Sequence, residues 1–318
     1  METSTPAATS IEIPQPKVEF VEANGLRFET LTCGESDRLA LLLHGFPEHH
    51  HSWRYQIPLL ASLGYRVWAP NLRGYGKSST PTGVANYRID DLLADVAGLI
   101  DASGARLVTL IAHDWGAVLA WLFAIRRIRP LERLVIMNVP HPAVFARSLR
   151  TLRQLRKSWY VFFFQLPGLP EKMLLRNDAA PIAGMLRGMA IDKSRFPREV
   201  LEVYTTNAKR PGGLTAMINY YRANVLALRA RSRQSFAAIE VPTLMIWGER
   251  DTALGKETTY GTDRYVDDLT IRYLPNVSHW VQQEAPETVN AMLEAFLTGQ
   301  PVPEASELRD LPRLAVTP

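Results

Sequence analysis

The sequence predicts an α/β fold in which a mostly parallel sheet is covered by helices on both faces. Three observations carry that expectation. Short apolar runs alternate with helix-like stretches. The alternation lapses for about a hundred residues and then resumes. One run ends in a sharp small-residue turn, Ala112-His113-Asp114-Trp115-Gly116. Short apolar strands separated by helices bury both sheet faces, and the lapse marks an inserted helical block.

Residues 1–16 are rich in Thr, Ser, Ala and Pro and read as a loose tail. Val18 to Val21 and Leu26 to Thr32 read as two strands joined by the Asn24-Gly25 turn signal. Leu39 to Leu43 is a buried strand, Trp53 to Leu63 a helix and Tyr65 to Ala69 a strand. The next helix is expected to start at an Asp90 or Asp91 cap. It carries Leu92, Leu93, Val96, Leu99 and Ile100 on one face and stops at Gly104.

Leu107 to Ile111 and Leu134 to Met137 continue the strand series. Residues 140–239 form the helical insertion, expected to act as a cap. Strands Pro242 to Trp247 and Thr270 to Leu274 and a helix over Pro286 to Leu297 complete a core of residues 17–139 and 240–298. Residues 299–318 read as an irregular tail.

Bulk numbers narrow the function. A length of 318 residues suits one large core with an insertion. A net charge of +4 spread over that length does not suggest nucleic acid. Cys33 is the sole cysteine, so no internal disulfide can form, which fits a reducing compartment. The start has neither a basic n-region nor an apolar h-region, and no run approaches eighteen apolar residues. The expectation is a cytoplasmic protein with no membrane segment; a homodimer is compatible with it.

Strand, tight turn and helix around Asp114 form the nucleophile elbow of the α/β-hydrolase fold, with aspartate where serine is usual. Backbone N–H groups at the helix start favour an ionised carboxylate there. The partners should follow as acid, then histidine. Gly248-Glu249-Arg250-Asp251 follows a strand; Asp251 is the expected acid and Glu249 its rival. His279, between the last strand and the last helix, is the expected base.

The His44-Gly45-Phe46-Pro47 turn and the residue after the nucleophile should supply oxyanion N–H groups, those of Phe46 and Trp115. X-Pro there is a candidate cis bond. Glu48-His49-His50-His51 reads as a solvated helix start rather than a metal site, because three consecutive histidines cannot all face one ion. Arg147, Arg150, Arg153 and Arg156 form a basic stripe, read as a solvated face or a subunit contact.

From Val18 to Leu297 the chain resembles the epoxide hydrolases of the α/β-hydrolase fold. The resemblance rests on His44-Gly45-Phe46-Pro47, Asn71-Leu72-Arg73-Gly74-Tyr75-Gly76, His113-Asp114-Trp115-Gly116, Asp251 and His279. It also rests on two insertion segments, Trp159-Tyr160-Val161-Phe162-Phe163-Phe164-Gln165-Leu166-Pro167-Gly168 and Asn219-Tyr220-Tyr221-Arg222. It implies epoxide opening by Asp114, with Tyr160 and Tyr221 as proton donors, and ester hydrolysis by His279 and Asp251, without metal or organic cofactor. Tyr220 competes with Tyr221 for the second donor.

Asn71 departs from the aspartate common at that position, and Asn138 stands near where some haloalkane dehalogenases place their acid. His44, Pro47, Phe163 and Trp280 are expected to bind substrate. Phe162, Phe163, Phe164, Leu166, Met173 and Met185 are expected to line an apolar cleft suited to an apolar or aromatic epoxide, with water as co-substrate. A haloalkane dehalogenase uses the same nucleophile and is the main alternative; a non-catalytic hydrolase-like receptor is a further one.

Overall fold

A computed structural model describes residues 14–148, 151–231 and 237–316. Most of the tail expected over 1–16 therefore lies outside the described residues, as does Arg150.

The strands are β1 (Lys17–Ala23), β2 (Leu26–Cys33), β3 (Arg38–Leu43), β4 (Arg66–Pro70), β5 (Leu107–His113), β6 (Arg133–Met137), β7 (Thr243–Gly248) and β8 (Leu269–Leu274). They form one sheet in the order β1-β2-β4-β3-β5-β6-β7-β8. β1 pairs antiparallel with β2, and β2 antiparallel with β4; every other pairing is parallel.

Period-two geometry divides the core between the two faces. Leu39, Leu41 and Leu43 of β3 enter one cluster, while Ala40 and Leu42 enter the other. The first face is covered by α2 (Ile89–Ser103) and α3 (Trp115–Ile125), the second by α1 (Gln56–Ser62) and α11 (Pro286–Leu297). Helix α2 is amphipathic and buries the expected face; α3 is apolar all round and almost wholly buried.

Between β6 and β7 the chain runs through α4 (Pro142–Ser148), α5 (Leu152–Lys157), α6 (Trp159–Phe163), α7 (Leu169–Met189), α8 (Arg198–Lys209) and α9 (Gly213–Arg231). A short α10 (Val281–Glu284) precedes α11. Among the described residues no helix is long and apolar enough to cross a membrane.

Three local expectations need correction. Helix α2 begins at Ile89 with Arg88 at the cap position, so Asp90 and Asp91 sit in the first turn, where they complement the helix dipole without capping it. The helix expected from Trp53 is a 3-10 turn over His50–Trp53 followed by α1 from Gln56. Glu48 is fully buried and His49 to His51 partly so, in place of a solvated start. Glu48 and His49 face internal partners that local sequence does not reveal.

Candidate active site

Five loops leave the carboxyl ends of β3, β5, β6, β7 and β8. They carry residues 44–48, Asp114, Asn138, Asp251 and His279. Ligands of open α/β sheets bind outside these strand ends.

Asp114 has φ 46° and ψ −123°, a conformation costly for a residue with a Cβ. Glycine on both sides of the turn makes it attainable. A Cβ on Gly45 would collide with the Asp114 side chain, and one on Gly116 with the carbonyls of Leu43 and His44. Asp114 Oδ1 accepts a 2.6 Å hydrogen bond from Phe46 N–H. The Phe46-Pro47 peptide is cis, and Pro47 is buried. Trp115, whose N–H opens α3, stacks edge-on against Tyr221 at 5.1 Å.

His279 Nδ1 lies 2.7 Å from Asp251 Oδ2, and its Nε2 lies 3.6 Å from Asp114 Oδ2. Asp251 Oδ1 accepts from the N–H groups of Ala253 and Leu254 at 2.7 and 2.9 Å. Glu249, the rival acid, is instead ion-paired with Lys256.

Burial disfavours charge on all three groups, and their mutual contacts override it. Asp114 and Asp251 are held below the ordinary carboxylate range, chiefly by His279. The two carboxylates push His279 up to about 10. The resting site therefore holds an imidazolium between two carboxylates.

Asn138 completes this cluster. Its Nδ2 donates to Asp251 Oδ2 at 2.8 Å and its Oδ1 accepts from Gly248 N–H at 2.9 Å. The dehalogenase-like acid position is thus occupied by a neutral group that hydrogen-bonds the acid on the neighbouring strand.

Tyr160 on α6 and Tyr221 on α9 face each other, with ring centroids 6.0 Å apart. Burial, then the charge of Asp114, raises both hydroxyls above the ordinary tyrosine value, so both stay protonated at neutral pH. Tyr221 packs on Phe46 and Phe164 at 5.4 and 4.9 Å. Tyr220 points elsewhere and donates to the Arg73 carbonyl at 2.9 Å. Phe163 is half-buried beside Phe164. Trp280 is buried, with its ring 4.9 Å from that of His279.

His44 does not fit its expected role in substrate binding. It is fully buried; Nε2 accepts from Leu72 N–H at 3.1 Å and Nδ1 faces the Gly45 carbonyl at 3.1 Å. Nε2 ties the loop to that of Leu72, and Nδ1 is turned to its own loop. Phe162, Leu166 and Met173, expected to line the cleft, are exposed instead.

Sequence reasoning missed a buried network beneath the site. Glu48 Oε2 accepts from Gly45 N–H at 2.9 Å and meets His113 Nδ1 at 2.8 Å. Its Oε1 accepts from Gln282 and Gln283, each at 2.9 Å. His113 Nε2 meets the His279 carbonyl at 2.9 Å. Both ring nitrogens of His113 thus face oxygen atoms, those of Glu48 and of the His279 carbonyl. A glutamate three residues after Gly45 was the only sequence signal, and it gave no partner.

Glu29, His49 and His50 bring potential ligand atoms within 4.8 Å of one another, a convergence that sequence spacing did not anticipate. The Asn71 amide lies among them, with Nδ2 at 2.8 Å from Glu29 Oε2 and 2.9 Å from His49 Nε2. An aspartate at position 71 would face the Glu29 carboxylate without this donor.

Known proteins share this arrangement of strands and helices. Residues 41–286 match the family described as alpha/beta hydrolase fold. Human epoxide hydrolase 4 is 38% identical over 284 residues, covering 87% of this chain and 77% of that protein. The chain belongs to the epoxide hydrolase family of the α/β-hydrolase fold. The AB hydrolase superfamily protein YfhM of Bacillus subtilis is 38% identical over 288 residues, covering 89% of this chain and 99% of that protein. Among solved structures, the inhibitor complex of Bacillus megaterium epoxide hydrolase is similar at TM-score 0.82 and 30% identity, covering 88% of this chain and all of that one.

Proposed function

We propose that this chain hydrolyses an epoxide to a vicinal diol through a covalent ester on Asp114. The observation that carries the reading is the position of that carboxylate. One oxygen is held by Phe46 N–H, the other is 3.6 Å from His279 Nε2, and two protonated tyrosines lie nearby on the inserted helices.

The chemistry follows from the nucleophile. An epoxide carbon is saturated, so a serine would be left as an ether, which water does not readily cleave. A carboxylate gives an ester, which water does cleave. Asp114 attacks a ring carbon, the C–O bond breaks, and Tyr160 and Tyr221 hold and protonate the departing alkoxide oxygen. General-acid help of this kind contributes roughly 10²–10⁴ in rate.

Ester formation removes the Asp114 charge, one of the two that hold the proton on His279. The imidazole can then lose that proton and act as base on a water molecule, oriented by Asp251. Hydroxide adds to the Asp114 carbonyl carbon, and Phe46 and Trp115 N–H groups receive the oxyanion. Collapse releases the diol and restores the carboxylate. No step calls on a metal or organic cofactor.

The helices between β6 and β7 act as the cap. Phe46, Phe164 and Tyr221 pack into an aromatic wall beside Asp114, which favours apolar or aromatic epoxides. Incubation with an aromatic epoxide and with a chloroalkane tests the reading. Diol without halide is expected; halide without diol would assign the site to dehalogenation, and neither would point to a binding protein.

A further inference from the structure

The inserted helices carry an outward apolar stripe that the active site does not use. Trp159 and Phe162 of α6, Leu166 of the connecting bend, and Leu169 and Met173 of α7 are all exposed, Trp159 by 62%. With Leu175 they make up six of the fourteen large exposed hydrophobic residues of the described chain, within seventeen positions. Isolated exposed apolar residues are ordinary, whereas a concentrated group marks an interaction face.

The stripe belongs to one compact unit. The Arg222 guanidinium donates to the Phe164 and Leu166 carbonyls at 2.9 and 2.7 Å and pairs with Glu171 at 2.6 Å. It therefore ties the end of α6 to the start of α7.

Charge surrounds the stripe. Between residues 156 and 176 the one acidic side chain is Glu171, and of the basic ones Lys157 turns inward to donate to the Asp251 carbonyl. Glu171 is already neutralised by Arg222. Arg156, Lys172 and Arg176 are exposed.

We propose that this face docks on an anionic phospholipid surface, with the apolar stripe entering the headgroup boundary and the basic side chains meeting lipid phosphates. Amphipathic elements with aromatic residues on one side and Lys or Arg on the other bind membranes in this way. A second copy of this chain is a poor occupant: a two-fold contact sets the same patch against itself, the exposed Arg156, Lys172 and Arg176 against their own copies. The short helix α6 turns Trp159 and Phe162 outward and carries Tyr160 between them. Docking thus brings the proposed proton donor close to the phase in which an apolar epoxide dissolves. That purpose rests on the epoxide reading; the docking does not.

The full chain is mixed with phosphatidylcholine vesicles, with and without an equimolar share of phosphatidylglycerol, and bound protein is measured by co-sedimentation. Anionic vesicles should bind at least about tenfold more tightly, and roughly 0.5 M salt should reverse the difference. Leu166→Ser with Met173→Ser, and separately Lys172→Glu with Arg176→Glu, should each weaken binding about tenfold with an unchanged melting midpoint. Equal or absent binding to the two vesicle types, or variants that bind like the parent, overturns the proposal. A dimer dissolved by the same substitutions without vesicle binding also overturns it and assigns the face to a second copy. Vesicle binding without diol formation from any epoxide leaves the docking intact and refutes the epoxide reading instead.

Discussion

His279 Nε2 stands 3.6 Å from Asp114 Oδ2, beyond a hydrogen bond but well within the range of an ion pair. The ring is thus held between a nucleophile it barely touches and an acid, Asp251, that it grips at 2.7 Å. Only one of these two carboxylates loses its charge during the proposed cycle. His279→Gln should therefore form the ester and fail to release it. Intact-protein mass spectrometry should show stoichiometric alkylated enzyme, with steady-state turnover down by roughly 10²–10⁴.

The two tyrosines of α9 are predicted to separate cleanly. Tyr221→Phe and Tyr160→Phe should each slow ester formation by about 10² or more in single-turnover kinetics. Tyr220→Phe should leave that rate within about twofold and cost roughly 1 kcal/mol of stability, because its hydroxyl donates to the Arg73 carbonyl. Equal rate losses at 220 and 221 would contradict the assignment.

Asn138 should matter through Asp251. Asn138→Ala removes the donor to Asp251 Oδ2 and strands the Gly248 N–H. A loss of about 1–3 kcal/mol is expected in urea denaturation, increased by the φ of 50° that asparagine tolerates better than alanine.

Glu48→Ala removes the carboxylate that meets His113 and three further donors in a fully buried setting. Breaking such a pair on one side typically costs about 3–5 kcal/mol. Chemical denaturation should show a loss of that order, larger than for any exposed ion pair such as Arg198 with Glu202.

The pH dependence of stability has a definite sign. The His279 value rises from 6.5 to about 10 on folding. Its contribution is complete below 6.5 and fades as the pH climbs through 10. The gap in melting midpoint between the parent and His279→Gln should narrow between pH ~6.5 and ~10. A gap that widens over that window would reverse the inferred charge state.

What sequence revealed and what it hid follow from the range of the forces involved. Strand runs such as Leu39 to Leu43 were legible because a strand buried on both faces is apolar at every position. The elbow was legible because its strain demands small neighbours at fixed offsets, Gly45 apart. Two of the partners of Glu48, Gln282 and Gln283, come from α10, 234 and 235 positions away, and no local pattern announces them. His44 looked like a substrate ligand because a histidine after a strand resembles a site residue, whereas its two nitrogens are consumed by loop backbone. Phe162, Leu166 and Met173 turn outward, and composition says that a segment is apolar without saying which way each side chain faces.

A transient bond between the Asp114 side chain and substrate is the claim on which the rest depends. A single turnover in ¹⁸O water, followed by mass analysis of the peptide that contains Asp114, measures it directly. The account predicts one heavy oxygen in the Asp114 carboxylate and none in the first diol released. Label confined to the diol, with an unlabelled Asp114, would mean direct attack of water on the ring and would contradict it.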